Sequence, residues 1–98
     1  MAQDIIENRP GVATITSVSA TTTSITLLAA NVNRRGAFVY NDSTAILYVN
    51  FGQTASSTQF AVQVNSETLY EMPHPAFTGE LRGAWDATNG SARITEWS

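Results

Sequence analysis

The sequence contains neither cysteine nor lysine, and it has a single histidine, His74. The absence of cysteine excludes disulfides, thiolate zinc sites and cysteine nucleophiles. One imidazole cannot form a histidine-rich metal site within one chain. Charged residues make up only 13%, and eight acidic residues against five arginines give a net charge of −3. Because a general nucleic-acid binder needs a basic face, we expect no nucleic-acid partner. We also expect no cofactor.

Long apolar runs are also missing. No run approaches the roughly 18 residues of a membrane span, and residues 1–4 have neither the basic start nor the apolar core of an export signal. No apolar stripe with helical spacing persists beyond one or two turns. These absences predict a protein with no membrane partner, no export signal and little helix.

The abundant residues are those that suit a pleated, half-buried surface. Thirteen threonines, seven valines, six isoleucines and nine aromatic residues make up about a third of the chain. Turn signals recur at intervals of about ten residues and separate eight short segments. The predicted strands are residues 13–20, 23–28, 37–41, 46–51, 59–64, 67–71, 81–86 and 92–97. The pattern predicts an all-β fold, a single antiparallel β-sandwich that is jelly-roll-like or a small barrel.

The chain divides into an N-terminal arm, residues 1–12, and a β-sandwich domain, residues 13–98. Pro10 and Gly11 mark the boundary. Ile5 and Ile6 are the only large apolar residues of the arm before Val12, so they are candidates to anchor it on a neighbour or on the domain's own edge; a frayed terminus is the alternative. Strand alternation predicts the core residues Ile15, Ile25, Leu27, Phe38, Tyr40, Leu47, Val49, Phe60, Val62, Val64, Leu69, Leu81, Trp85 and Ile94.

No catalytic set emerges from the sequence. His74 lies between two prolines in a segment that we expect to be an exposed loop, and the acids Glu67, Glu71 and Glu80 lie near it in sequence. A small hydrolase built on His74 with these glutamates is one hypothesis. A solvated rim is the interpretation that we favour, because 98 residues leave little scaffold for a cleft. We therefore expect no enzymatic activity.

Arginines and outward-facing aromatics are the candidate interface residues. Arginine makes bidentate and stacked contacts that lysine does not, and an exposed aromatic side chain can anchor an interface or stack on a sugar. Together with the two isoleucines of the arm, the candidates are Arg34, Arg35, Tyr48, Arg82, Arg93 and Trp97. Surface solubility for the arginines and core burial for the aromatics remain the alternatives.

Several stretches of the chain resemble small β-domains encoded among the structural genes of tailed bacteriophages. These stretches are residues 24–31, 33–36 and 40–49, followed by residues 83–85 and 90–96 near the C-terminus. The resemblance covers roughly three quarters of the chain and leaves out the arm. Its motifs are turn and strand signatures, and the family pattern carries no catalytic residues to transfer.

The resemblance implies a virion protein that is made in the bacterial cytoplasm. Such proteins decorate heads, form head fibres or belong to tail and adaptor assemblies. We expect a capsid decoration or accessory protein whose partners are the major capsid protein or other virion proteins. We also expect a homo-oligomer, with a trimer favoured. The alternative is a tail or fibre module that binds carbohydrate on the host surface, with Tyr48, Trp85 and Trp97 as stacking residues.

Overall fold

A computed structural model describes residues 11–98, which form eight strands and no helix. The strands are β1 (Ala13–Ser19), β2 (Ile25–Leu28), β3 (Gly36–Asp42), β4 (Leu47–Phe51), β5 (Val62–Val64), β6 (Leu69–Glu71), β7 (Leu81–Trp85) and β8 (Ser91–Trp97). Apart from Gly11 and Val12, the predicted arm lies outside the described residues, and so do the candidates Ile5 and Ile6.

The strands form two antiparallel sheets of four. The first sheet has the order β1-β8-β3-β6 and the second has the order β2-β7-β4-β5. Four of the pairings are nested along the chain: β4 with β5, β3 with β6, β2 with β7 and β1 with β8. This is the strand order of a jelly roll. The predicted antiparallel β-sandwich is confirmed, whereas the small-barrel alternative is wrong because the strands form two separate sheets.

The core lies between the two sheets. It takes the inward side chains of β3 and β8 from the first sheet and those of β4 and β7 from the second. Burial confirms seven of the predicted core residues: Leu27, Leu47, Val49, Val64, Leu81, Trp85 and Ile94. Val62 is partly buried and packs against them. Met72 follows β6 and is buried beside them although the sequence did not single it out.

Strand β3 faces the opposite way from the prediction. Ala37 and Val39 point into the core, so Phe38 and Tyr40 lie on the outer face of the first sheet. Both faces of this strand carry apolar residues, and a shift of one residue exchanges the faces. Alternation alone therefore could not determine which face of β3 is buried.

Four other predicted core residues are exposed: Ile15, Ile25, Phe60 and Leu69. Each lies on an edge strand or directly beside one, since β1 and β6 bound the first sheet and β2 and β5 bound the second. The ladders set Ile15 opposite Thr95 and Leu69 opposite Tyr40, so both point to the outer face of the first sheet. Phe60 packs against Tyr48 outside the second sheet.

Candidate interaction surface

The outer face of the first sheet carries a cluster of large apolar side chains. We call it the aromatic face and define it by Ile15, Phe38, Tyr40, Leu69 and Trp97. The register places Ile15 and Phe38 on either side of one β8 residue and sets Tyr40 opposite Leu69. Ile15 and Leu69 are 75% and 59% exposed, and the three aromatic side chains are partly exposed. The aromatic face is thus a partly exposed group of apolar side chains on a paired sheet, with Thr95, Arg93 and Glu71 among its neighbours.

Trp97 lies across this face because Gly36 leaves room for its ring. Gly36 is directly opposite Trp97 in the ladder, and a β-carbon at Gly36 would overlap the indole. The indole also packs against Phe38, with ring centroids 5.9 Å apart and planes tilted by 59°. These two contacts orient Trp97, the one predicted interface aromatic on this face, and leave part of its ring in solvent.

An ion pair borders the aromatic face. The Arg93 Nε donates to the Asp42 Oδ2 at 2.8 Å, and the two side chains are 62% and 42% exposed. Arg93 is the β8 residue opposite Tyr40, so the pair lies next to the aromatic ring. The outward orientation predicted for Arg93 is correct, and its charge is available at the rim of an apolar surface.

Two other candidates, Tyr48 and Arg82, lie on the outer face of the second sheet. The Tyr48 ring packs against Phe60 with centroids 5.0 Å apart. Arg82 bonds within its own chain: its Nε donates to the Ser24 hydroxyl at 2.9 Å, and its Nη1 pairs with Glu80 at 3.1 Å. Arg82 therefore ties the edge strand β2 to β7, which the sequence did not anticipate.

The carboxylate of Glu80 belongs to the same group of side chains as Arg82 and Thr26. Thr26 donates its hydroxyl hydrogen to Glu80, and the Arg82 guanidinium lies beside it. The hydrogen bond from Thr26, together with the charge of Arg82, lowers the pKa of Glu80, although partial desolvation opposes this. Glu80 thus belongs to a network that holds the sheet edge, and its perturbed pKa has a structural cause.

Arg34 is not an interface residue, contrary to the prediction. Its side chain is fully buried, and its Nε donates to Glu96 at 2.6 Å. The remaining guanidinium nitrogens donate to the backbone carbonyls of Phe77, Gly79 and Ala29. Five donors in a planar fork suit this arrangement, so the residue joins the β2–β3 and β6–β7 loops to β8. The neighbouring Arg35 is exposed, as expected of an interface candidate.

An apolar cavity of about 250 Å³ opens beside the β6–β7 loop. It is lined by Phe51, Met72, Pro73, Pro75 and Phe77, none of which titrates. His74 belongs to the same loop and is exposed. Within residues 11–98, no group of three or more histidine, aspartate or glutamate side chains is placed to hold a metal ion. The cavity therefore offers apolar contact and no acid–base group from its lining.

Trp85, a stacking candidate in the carbohydrate hypothesis, is only 2% exposed. Its Nε1 donates to the Asn41 Oδ1 at 3.1 Å, and the Asn41 side-chain amide donates to the carbonyls of Ala45 and Val64. Asn41 is itself fully buried. Because Trp85 is buried and hydrogen-bonded to Asn41, it cannot stack on a sugar. That part of the carbohydrate hypothesis is wrong.

The predicted interface residues therefore do not form one surface. Trp97 lies on the aromatic face and Arg93 lies at its border. Tyr48 and Arg82 lie on the outer face of the second sheet, and Arg34 is buried. The aromatic face joins Trp97 with residues that were predicted to lie in the core. In comparisons with known proteins, no family model, curated protein or solved structure matches this chain. Among residues 11–98, no helix is long and apolar enough to span a membrane.

Proposed function

We propose that this protein is a structural component of a tailed-bacteriophage virion, a decoration or accessory protein that binds the capsid lattice through its aromatic face. The observation that carries the proposal is the aromatic face itself. The sequence resemblance to phage structural domains supports the same role. The jelly roll also occurs in viral capsid domains, which supports the proposal by analogy only.

The chemistry of the aromatic face suits a protein partner. Protein interfaces combine an apolar centre with a polar rim, and tryptophan, tyrosine and arginine are enriched among the residues that dominate binding. Phe38 lies in the middle of the aromatic face, in contact with Trp97, and the Arg93–Asp42 pair lies at the border beside Tyr40. Weak contacts by each copy add up when many copies bind one particle. The proposed role needs neither bond-making nor a cofactor, and it places the protein in the virion after synthesis in the host cytoplasm.

Co-sedimentation with purified phage heads tests the role directly. Leu69→Glu places a charge on the aromatic face at a 59% exposed position, so the fold should tolerate it. We expect wild type to sediment with the heads and Leu69→Glu to bind roughly tenfold more weakly or worse. Gln63→Glu adds the same charge at an exposed strand position of the opposite sheet and should bind like wild type.

Two results would contradict the proposal. One is the absence of wild-type binding to any purified head, and the other is an equal loss in Leu69→Glu and Gln63→Glu. A glycan array probes the tail or fibre alternative with the same proteins. Carbohydrate binding that disappears in Trp97→Ala, combined with no head binding, would replace capsid decoration with host-surface recognition.

A further inference from the structure

The outer edge of β1, the edge that faces away from β8, presents a row of backbone groups. Val12 and Ser98 exchange both backbone hydrogen bonds, at 3.0 and 2.9 Å. Backbone groups of successive residues point to opposite edges of an antiparallel strand. Thr14, Thr16 and Val18 therefore face β8, as Val12 does. The N–H and C=O groups of the alternate residues Ala13, Ile15, Ser17 and Ser19 face the outer edge, where no strand from residues 11–98 pairs with them.

This edge differs from the other three sheet edges. The edge strands β5 and β6 have three residues each, and β2 has four residues with a register shift after Thr26. Short or irregular strands are the usual protection against pairing with another chain. Strand β1 has seven residues in regular register and contains no charge, proline or glycine. It lacks each of these protections.

The charge distribution favours a second copy of this chain as the partner. The protein has a net charge of −3, so two copies repel each other in general. No charged residue occurs between Arg9 and Arg34, however. Two β1 strands can therefore pair without bringing like charges close together. Six of the seven β1 residues are exposed, and Ile15 is 75% exposed, so pairing would also bury apolar surface.

We propose that β1 pairs antiparallel with β1 of a second copy, about a two-fold axis at Thr16. In this register Ala13 lies opposite Ser19 of the second copy, and Ile15 lies opposite its Ser17. All four residues that face the outer edge then donate and accept a backbone hydrogen bond. The first sheet of one copy joins the first sheet of the other into one continuous sheet, and the two aromatic faces lie on the same side of it. The pairing stands apart from the proposed function, because it requires no capsid.

Sedimentation equilibrium of the full chain measures the association. We expect wild type to approach twice the mass of one chain as concentration rises. Ser17→Pro removes an N–H that faces the outer edge and leaves the ladder to β8 intact, so this variant should remain a monomer. Ser17→Ala is the matched control and should associate like wild type. If Ser17→Pro does not fold, Ile15→Lys at its exposed position provides the same test.

A monomeric wild type at all concentrations would overturn the proposal, and so would the trimer expected from the sequence. Association that persists in both Ser17→Pro and Ile15→Lys would overturn it as well. Head binding with no self-association would leave the proposed function intact and remove only this inference.

Cysteine scanning tests the register, and the chain has no native cysteine to interfere. Thr16 would face its own counterpart in a non-hydrogen-bonded pair, where the Cα atoms are about 4.5 Å apart and a disulfide can form. We expect Thr16→Cys to form a disulfide-linked dimer under mild oxidation and Ser17→Cys to remain largely unlinked. Linkage through Ser17→Cys instead of Thr16→Cys would overturn the register.

Hydrogen exchange distinguishes pairing of this edge with a second copy from pairing with a segment of the same chain. If two copies pair, amide protection at Ala13, Ile15, Ser17 and Ser19 should rise with protein concentration. Protection that does not depend on concentration would assign the edge to the chain's own N-terminal residues and overturn the proposal.

Discussion

At the residue scale, two neighbouring arginines have opposite environments. Arg34 is buried with four hydrogen bonds, whereas Arg35 is exposed. The sequence could not distinguish them, because the groups that Arg34 contacts come from segments 5 to 62 residues away. The buried hydrogen-bonding role of Asn41 was not predicted for the same reason. Its partners on β5 and β7 approach it only in the folded chain.

The two arginines give a matched pair of substitutions. Arg34→Met removes the buried cation, so it leaves the Glu96 carboxylate without its partner and three carbonyls without donors. We expect a loss of about 3 kcal/mol or more in the free energy of unfolding. Arg35→Met should change it by less than about 0.5 kcal/mol. Urea unfolding measures both, and similar losses in the two variants would contradict the structural role assigned to Arg34.

At the element scale, the sequence predicted all eight strands in order, because turn signals and β-branched segments are local features. The sequence also predicted which face of the central strands β4, β7 and β8 is buried, since their buried faces are the more apolar ones. The prediction failed at β3, and on the edge strands it assigned Ile15, Ile25 and Leu69 to the core, although it correctly placed Leu27 and Val64 there. The aromatic face was missed as a consequence, because Ile15, Phe38, Tyr40 and Leu69 were all assigned to the core.

The attachment of β2 to β7 provides a pH-dependent prediction. The pKa of Glu80 is lower in the folded chain than its ordinary value of 4.5. Its ionised form therefore stabilises the fold above that value, and the contribution is lost as the pH falls through the lowered pKa. We expect Glu80→Gln to be less stable than wild type at pH 7, with the difference shrinking below about pH 4.5.

Urea midpoints measured across this pH range test that expectation. Glu71→Gln is the control, because Glu71 is exposed and its side chain makes no ion pair or hydrogen bond within residues 11–98. A difference between wild type and Glu80→Gln that stays constant with pH, or grows as the pH falls, would contradict the role of Glu80 at this edge.

At the scale of the whole molecule, the nested pairing sets the order in which loops can close. Strands β4 and β5 are adjacent in sequence, whereas β1 and β8 lie at opposite ends of the described chain. The entropy cost of closing a loop grows with its length, and pairing of distant segments slows folding. We infer that the β4–β5 pair forms early and that β1 joins β8 last, with refolding in milliseconds to seconds.

Two identical substitutions test this order, because Val18 on β1 and Val62 on β5 are both partly buried against the core. Val18→Ala should mainly accelerate unfolding, since its contacts form after the transition state, and its φ-value should lie near 0. Val62→Ala should slow folding, with a φ-value of about 0.5 or above. Stopped-flow chevrons in dilute solution measure both. The reverse pattern would show that β1 pairs with β8 before β4 pairs with β5, and it would contradict the inferred order.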